Sequence, residues 1–410
     1  IEEACKNTFK GSKNNYIGGR TQGEEPMMNS ECGNVWGYIG STGDCDFTWD
    51  YHLMIDAFRR HMRCSGWLYT EHHDVTNEWN GYVRFDRSPK FTGIGALFPG
   101  MSLSSLHAEA YIALDKEMCR TSKPNEIRTI PVWISLTTSA LAGKRLTLSY
   151  ELRYTDDKGI HKTKSGRMIE GNSRAYPWQN GKFTDIGVKM PDINSVGTIN
   201  FTLFADDKPV AYNFTCFRVK GKEEPFPPPK AASWSIGSTN VLNGLKYNGF
   251  GKGWFEFELP CEGEGTFIAE LSAKRLNAKD DKNLAKTGDL DYMLGGGFCN
   301  RSRNPNSYPQ TSCERHTSEI TIYANGKKIK SCTLVDDPAD HRGILSWAAQ
   351  PRNSTLHEAG SYGYLVKAKI PAGVAKDGKV TIRIESTGGG LAVYGPDFGR
   401  YPFGPKILKK

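Results

Sequence analysis

Two short apolar segments near the start of the chain each end in side chains able to do chemistry together. Pro26-Met27-Met28-Asn29-Ser30-Glu31 reads as a buried strand whose last residue is a carboxylate. Gly66-Trp67-Leu68-Tyr69-Thr70 reads as a second strand that runs into Glu71-His72-His73-Asp74. If the two lie parallel and adjacent, Glu31, Tyr69, Glu71, His72 and Asp74 gather at one end of the sheet, within reach of one small ligand. In a (β/α)8 barrel that C-terminal end of the strands is where catalytic groups project. A pair of carboxyl groups there suits nucleophilic and general-acid work on a glycosidic bond, which in retaining enzymes needs the two about 5–5.5 Å apart. Polar strand ends occur in any α/β protein, so spacing alone does not decide the chemistry.

The elements around these residues must position them. Between the two strands, Tyr51 to Arg60 carries Leu53, Met54, Ala57 and Phe58 at helical spacing. A further helix is expected from about Ser102 to Met118, introduced by Pro99-Gly100. Strand, helix, strand, helix is the pattern of a parallel sheet with helical crossovers, which gives an α/β unit over 1–122. From 123 to 220 the pattern turns all-β, with strands expected over 131–136, 145–152 and 198–204 and a hairpin turn at Asp156-Asp157-Lys158-Gly159. Strands at this spacing over about a hundred residues suit an immunoglobulin-like β-sandwich. Residues 221–232, with Pro225 and the run Pro227-Pro228-Pro229, read as an extended linker. Residues 233–410 are again β-rich and suit a jelly-roll, galactose-binding-like domain, with Val380 to Glu385 alternating cleanly and 388–394 as the closing strand.

Composition bounds the partners. The chain has 410 residues, 38% hydrophobic and 24% charged, which is ordinary globular composition. No apolar run is long enough to span a bilayer. The net charge of +8 is scattered, and basic clusters such as Arg59-Arg60 and Lys409-Lys410 read as solvated surface. Nucleic-acid binding would need a concentrated basic stripe, so no nucleic-acid partner is expected. Ten cysteines without a CxxC pair argue against a zinc ribbon or thioredoxin-type site. Cys261, Cys299, Cys313 and Cys332 are candidates to staple long loops by disulfides. With the sequons at Asn200, Asn213, Asn300 and Asn353, they point towards a secreted, extracellular or periplasmic glycoprotein. The first residue is Ile, and no signal peptide is visible, so a mature, trimmed or partial chain is expected.

The residues around Glu31 carry a family resemblance. Asn29-Ser30-Glu31-Cys32-Gly33-Asn34-Val35-Trp36-Gly37-Tyr38 resembles the motif after barrel strand seven in glycoside hydrolase family 2, of the β-galactosidase and β-glucuronidase kind. Residues 67–81, with Tyr69-Thr70-Glu71 and Asn80-Gly81, are similar to that family's strand-eight segment, and Phe85-Asp86-Arg87 to the Tyr-Asp-Arg that follows it. Tyr16 to Gly23 looks like the loop before the nucleophile strand. The likeness covers about residues 14–90. It implies the last strands and helices of a (β/α)8 barrel, with Glu31 as the nucleophile that forms and releases a glycosyl-enzyme. It also implies that strands one to six and the general acid/base, an Asn-Glu pair after strand four, come from an upstream polypeptide that completes the barrel. Cys32 departs from the family, which usually has an aromatic residue there.

The remaining site residues have two readings each. Tyr69 either borders the sugar or packs in the core, and Trp36 is either a lid or platform aromatic or a packing residue. Glu71 and His72 are expected to hydrogen-bond sugar hydroxyls, while Asp74, Glu78 and Asn80 knit the following loop together. His72-His73 has no third ligand at convincing spacing, so no metal is expected at the site, and no cofactor. Asp336 to Asp340 is either a calcium turn or a solvated one. Tyr394, Phe398, Tyr401 and Phe403 either stack on sugar or pack against the fold.

Three functions follow in order. The first is the C-terminal portion or subunit of a retaining glycosidase that cleaves terminal β-linked sugars, with a glycan or oligosaccharide as partner. The second is a catalytically inactive, glycosidase-derived scaffold that keeps carbohydrate-binding or assembly roles. The third is a lectin-like module confined to 233–410.

Overall fold

Helix α2, Asp50–Arg60, lies between strands β1, Met27–Cys32, and β2, Cys64–Tyr69, which pair in parallel. This is a computed structural model. It describes residues 1–33, 47–75, 80–90, 92–166, 168–221, 231–236, 238–242, 246–273, 317–335, 343–345, 363–396 and 399–409. Asp50 in the first turn of α2 and Arg59 and Arg60 in the last complement the helix dipole. Met54, Ile55, Ala57 and Phe58 form its buried face. A short helix α1, Glu2–Lys6, packs beside it, and α3, Ile94–Leu97, precedes a 3-10 turn at Leu103–His107. Among the described residues no third strand joins β1 and β2. Among the described residues the region holds one parallel β–α–β unit rather than the last strands and helices of a barrel, and the described chain is mostly β.

The helix expected over 102–118 is absent. Its place is taken by the 3-10 turn and by β3, Ala110–Leu114, with β4, Cys119–Ser122, starting just beyond it. All five side chains of β3 are buried. Ala110, Ile112 and Leu114 enter the core of the sandwich that follows, and Tyr111 and Ala113 enter the core beneath α2. A strand covered on both faces reads as a continuous apolar run, which periodicity cannot tell from a buried helix.

The sandwich adds β5, Ile127–Leu136, β6, Arg145–Asp156, β7, His161–Ser165, β8, Ile169–Arg174, β9, Asn180–Lys189, β10, Ser195–Ala205, and β11, Lys208–Val219. One sheet runs β4-β11-β10-β6-β7 with β8 on β6, the other β3-β5-β9, and their inner faces share one apolar core. The expected hairpin joins β6 to β7. Gly159 takes φ +67° there, and its N–H donates to the Asp156 carbonyl at 2.9 Å. Asn200 and Asn213 lie in these strands at 2% and 0% exposure. The fold therefore closes both sequons to a glycan.

The C-terminal strands are β12, Ala231–Trp234, β13, Ser238–Leu242, β14, Lys246–Pro260, β15, Gly265–Ser272, β16, Ser318–Ala324, β17, Lys327–Leu334, β18, Tyr364–Ile370, β19, Lys379–Tyr394, and β20, Lys406–Lys409. They form one nine-stranded sheet wrapped around a core that includes Phe255, Phe257, Phe267, Ile322, Ile382 and Leu391. Residues 388–394 are not a closing strand of their own. They continue β19, and the chain closes with β20 on β15. Tyr394, Tyr401 and Phe403 are buried, so they pack rather than offer a sugar-stacking patch. Phe398, residues 336–340, and most of the expected linker lie outside the described residues. Cys261 and Cys332 are unpaired, as are the other described cysteines, Cys5, Cys32, Cys64, Cys119 and Cys216. Both line the apolar core of this sheet. Cys45, Cys299 and Cys313 lie outside the described residues. No described helix is long and apolar enough to cross a membrane.

Arg59 and Arg60 are not solvated. Arg59 is 5% exposed, lies over the rings of Trp67 and Tyr111, and donates to the Ala108 carbonyl. Arg60 donates to the Leu114 carbonyl and the Glu2 carboxylate and lies over Trp133. Deeper in the same junction, Asp56 Oδ1 accepts from Tyr111 Oη at 2.9 Å, Asn213 Nδ2 at 3.0 Å and the Leu114 N–H at 3.3 Å. His52 Nε2 pairs with Asn213 Oδ1 at 2.6 Å and lies 3.8 Å from Asp56 Oδ2.

Burial pushes the Asp56 carboxyl up to about 7 and the His52 imidazole down to about 4. Between about pH 4 and 7 the native chain keeps a proton on Asp56 that the unfolded chain has lost, so this group's contribution to stability falls as pH rises. His52 acts in the opposite sense. Below its ordinary value of 6.5 the unfolded chain takes up a proton that the native chain refuses, so stability falls as pH falls towards 4. From about pH 4 to 6.5 each state holds one proton on the pair, and the two slopes cancel. Asp56→Asn leaves the His52 slope alone. The gap in urea midpoint between this variant and the parent should therefore widen as pH is lowered from 6.5 to 4.5, and a constant gap would contradict the assignment.

Candidate functional site

The register of the parallel pair sets the geometry of the site. Cys32 is the partner of Tyr69, and the Thr70 N–H donates to the Cys32 carbonyl at 2.8 Å. Glu31 and Glu71 therefore stand at the same end of neighbouring strands. Glu31 is exposed, whereas Cys32 is buried at 8%. The Cys32 thiol donates to the Leu68 carbonyl at 3.3 Å, and burial raises it to about 11. It packs in the core with α2 as a small apolar residue, so it neither lines the exposed strand end with Glu31 nor offers a reactive thiolate.

Gly33 explains how the chain leaves this strand. A Cβ there would sit 2.7 Å from the Thr70 carbonyl oxygen and 2.9 Å from Asn80 Nδ2. Only glycine permits that approach of the strand end to Thr70 and Asn80. The peptide between Thr70 and Glu71 is cis.

Tyr69 is half-buried. Its ring stacks on Tyr82 at 4.6 Å between centroids and meets Tyr51 edge-on at 4.9 Å, while its hydroxyl donates to the Asn80 carbonyl. Tyr51 in turn hydrogen-bonds Tyr82 at 2.6 Å and His107 Nε2 at 3.1 Å. Tyr69 is thus a packed residue that also lines a groove of about 330 Å³ along β2, with Trp67, Leu68, Tyr82, His107 and Arg59. Glu71 is half-buried and His72 is exposed, with the His72 and His73 rings 5.9 Å apart. Trp36 and Glu78 lie outside the described residues.

The loop beyond β2 is tied by groups taken out of water. Asp74 Oδ1 meets Lys90 Nζ at 2.7 Å, both side chains fully buried, and also accepts the Gly81 N–H at 3.0 Å. Asn80 donates to the Thr70 carbonyl. Asp74 and Asn80 thus knit the loop. Sequence reasoning missed Lys90, which stands alone 16 residues from its partner with no periodic signal to mark it. It also missed His107 and the buried role of Arg59.

No family model matches the chain, and no curated protein matches it. Solved structures share parts of its path loosely. Bacteroides uniformis β-glucuronidase 2, bound covalently to a cyclophellitol-6-carboxylate aziridine, is 14% identical over 90% of this chain and 41% of its own, with a TM-score of 0.22. Bacteroides uniformis β-glucuronidase is 13% identical over the same shares, with a TM-score of 0.21. The DNA glycosylase AlkC of Pseudomonas fluorescens is 12% identical over 28% of this chain and 33% of its own, at 0.20. The chain spans about two fifths of the length of the two β-glucuronidases. Superpositions this loose transfer no residue from those proteins to this one.

Removing one partner of a fully buried ion pair leaves the other charge stranded. Lys90→Met should cost about 3–5 kcal/mol, read as a lowered urea midpoint. Adding Asp74→Leu should recover most of the loss. An unchanged midpoint in the single variant would show that the pair is solvated.

Proposed function

We propose that this chain is the C-terminal portion of a retaining glycoside hydrolase acting on terminal β-linked sugars, with Glu31 as nucleophile. The observation that carries this reading is the parallel register of β1 and β2. It supports a carboxylate presented at the C-terminal strand end with Glu71 and His72, on a sheet whose other face carries Tyr69 and is covered by α2. The motif around Ser30-Glu31 and the resemblance of residues 67–81 to a strand-eight segment give the same direction.

In this reading the Glu31 carboxylate attacks the anomeric carbon and the leaving-group oxygen takes a proton from a second carboxyl group. Water then resolves the glycosyl-enzyme, with that second group now acting as base. The second group and the missing strands come from an upstream polypeptide. Two features support that demand for a partner. The two-stranded sheet has no third strand among the described residues, and its outer positions Met28 and Leu68 are 58% and 54% exposed. Unpaired strand edges call for pairing. Glu71 and His72, at the end of β2, are placed to meet sugar hydroxyls.

The complete protein should hydrolyse aryl β-glycosides, and Glu31→Gln should lower kcat by at least about three orders of magnitude. Glu31→Ala supplied with azide should yield a glycosyl azide, because a small anion can replace the missing nucleophile. Undiminished turnover in Glu31→Gln would falsify the nucleophile assignment. Saturable sugar binding by a complete protein that turns nothing over would instead favour the inactive carbohydrate-binding scaffold.

A further inference from the structure

Other cations taken out of water in this chain come with carboxylates. The side chains of Arg60, Arg120 and Lys90 are 8%, 1% and 0% exposed, and they meet Glu2, Asp115 and Asp74. Arg59 differs. It is 5% exposed, pairs with no carboxylate among the described residues, and its Nε has no hydrogen-bond partner. The Ala108 carbonyl and the rings of Trp67 and Tyr111 are what it meets. Burial holds its guanidinium below the ordinary value, with Tyr111 and Cys64 opposing. A guanidinium nonetheless stays charged in a protein, and a charge removed from water without a counter-charge is costly.

Arg59 lines the groove of about 330 Å³ along β2, together with Gly66, Trp67, Leu68 and Tyr69. Successive side chains of a strand point to opposite faces, so a wall made of four residues in a row is the edge of the strand. Among the described residues β2 pairs with β1 alone, which leaves that edge open. An open edge is a template for another strand. A strand laid there sends every second side chain to the face that carries Trp67 and Tyr69, next to its cross-strand neighbours. The Arg59 guanidinium lies 5.8 Å from the centre of the Trp67 ring. The inward residue beside Trp67 therefore falls next to that guanidinium.

We propose that the groove along β2 seats a strand of the partner polypeptide, and that this strand carries an Asp or Glu beside Trp67 whose carboxylate pairs with Arg59. The chemistry is a charge-assisted hydrogen bond to the guanidinium donors that this chain leaves unused. The backbone edge of β2 supplies attraction for any extended segment, and Arg59 selects among them. A segment with a neutral or basic residue at that position would leave the buried charge uncompensated. Arg59 thereby fixes the register as well, since a slip by one residue turns the acid to the other face.

This inference rests on the reading of a partner polypeptide, and its test is separate from catalysis. In this chain alone, Arg59→Met removes an uncompensated charge, so the urea midpoint should match or exceed the parent's. In the complete protein the same variant strands the partner's carboxylate, so the midpoint should fall. Hydrogen exchange should find the β2 amides that point away from β1 open in this chain alone and protected in the complete protein, whatever its turnover. A midpoint that falls in this chain alone would show that Arg59 is already satisfied there. Protection in this chain alone would show the edge covered by the chain's own residues, or by a second copy where protection grows with concentration. Either result would overturn the proposal, as would edge amides that stay open in the complete protein or a gene that encodes nothing ahead of Ile1. Failure of Glu31 as nucleophile would leave all of these results untouched.

Discussion

Asn213 holds the molecule together at the point where its parts meet. Its side chain donates to Asp56 and the Ile112 carbonyl and accepts from its neighbour's backbone, Phe214 N–H. Asp56 and His52 belong to α2, Tyr111 to β3, and Asn213 to β11, so one buried polar hub fixes the helix against the sandwich. Polar groups shut away from water are costly unless satisfied. The hub therefore tolerates few other arrangements, and it sets the seat of α2 with a directionality that apolar contact alone lacks. Arg59 and Arg60 extend the same seam with guanidinium groups laid over Trp67, Tyr111 and Trp133.

The strand end with Glu31 depends on that seat. Phe58 of α2 stacks on Trp67 of β2 at 5.4 Å, and Tyr51 of α2 meets Tyr69 of β2. With one face of the parallel pair sealed by the helix, Cys32 turns inward and Glu31 stays exposed. Gly33 then lets the chain pass close to Thr70 and Asn80, and the buried Asp74–Lys90 pair fixes the loop that follows β2. A chain of contacts thus runs from a polar hub in the sandwich to a carboxylate at a strand end. The same hub ties the candidate site to the sandwich.

Much of this was legible in the sequence where burial has one open face. The α2 segment shows helical spacing because only one side of the helix is covered. The β6–β7 turn declares itself through Asp156-Asp157-Lys158-Gly159. The strand β3 was illegible because burial on both faces erases the alternation that marks a strand. Arg59 and Arg60 were misread because a run of cations carries no sign of whether aromatic rings will cover it. The sequons at Asn200 and Asn213 have the right letters, yet both lie inside a β-sandwich. At the candidate site, Glu31, Tyr69, Glu71 and His72 could be singled out in advance, whereas Lys90 could not.

The central claim is that the exposed carboxylate at the end of β1 is the group that bonds to the sugar. Trapping reads it directly. The complete protein is treated with 2-deoxy-2-fluoro glycosyl fluorides of the gluco, galacto, manno and glucuronic series, digested, and its labelled peptide sequenced by mass spectrometry. The account predicts a single adduct on the Glu31 carboxylate. An adduct on another residue, or no adduct with any of the four sugars, would contradict it.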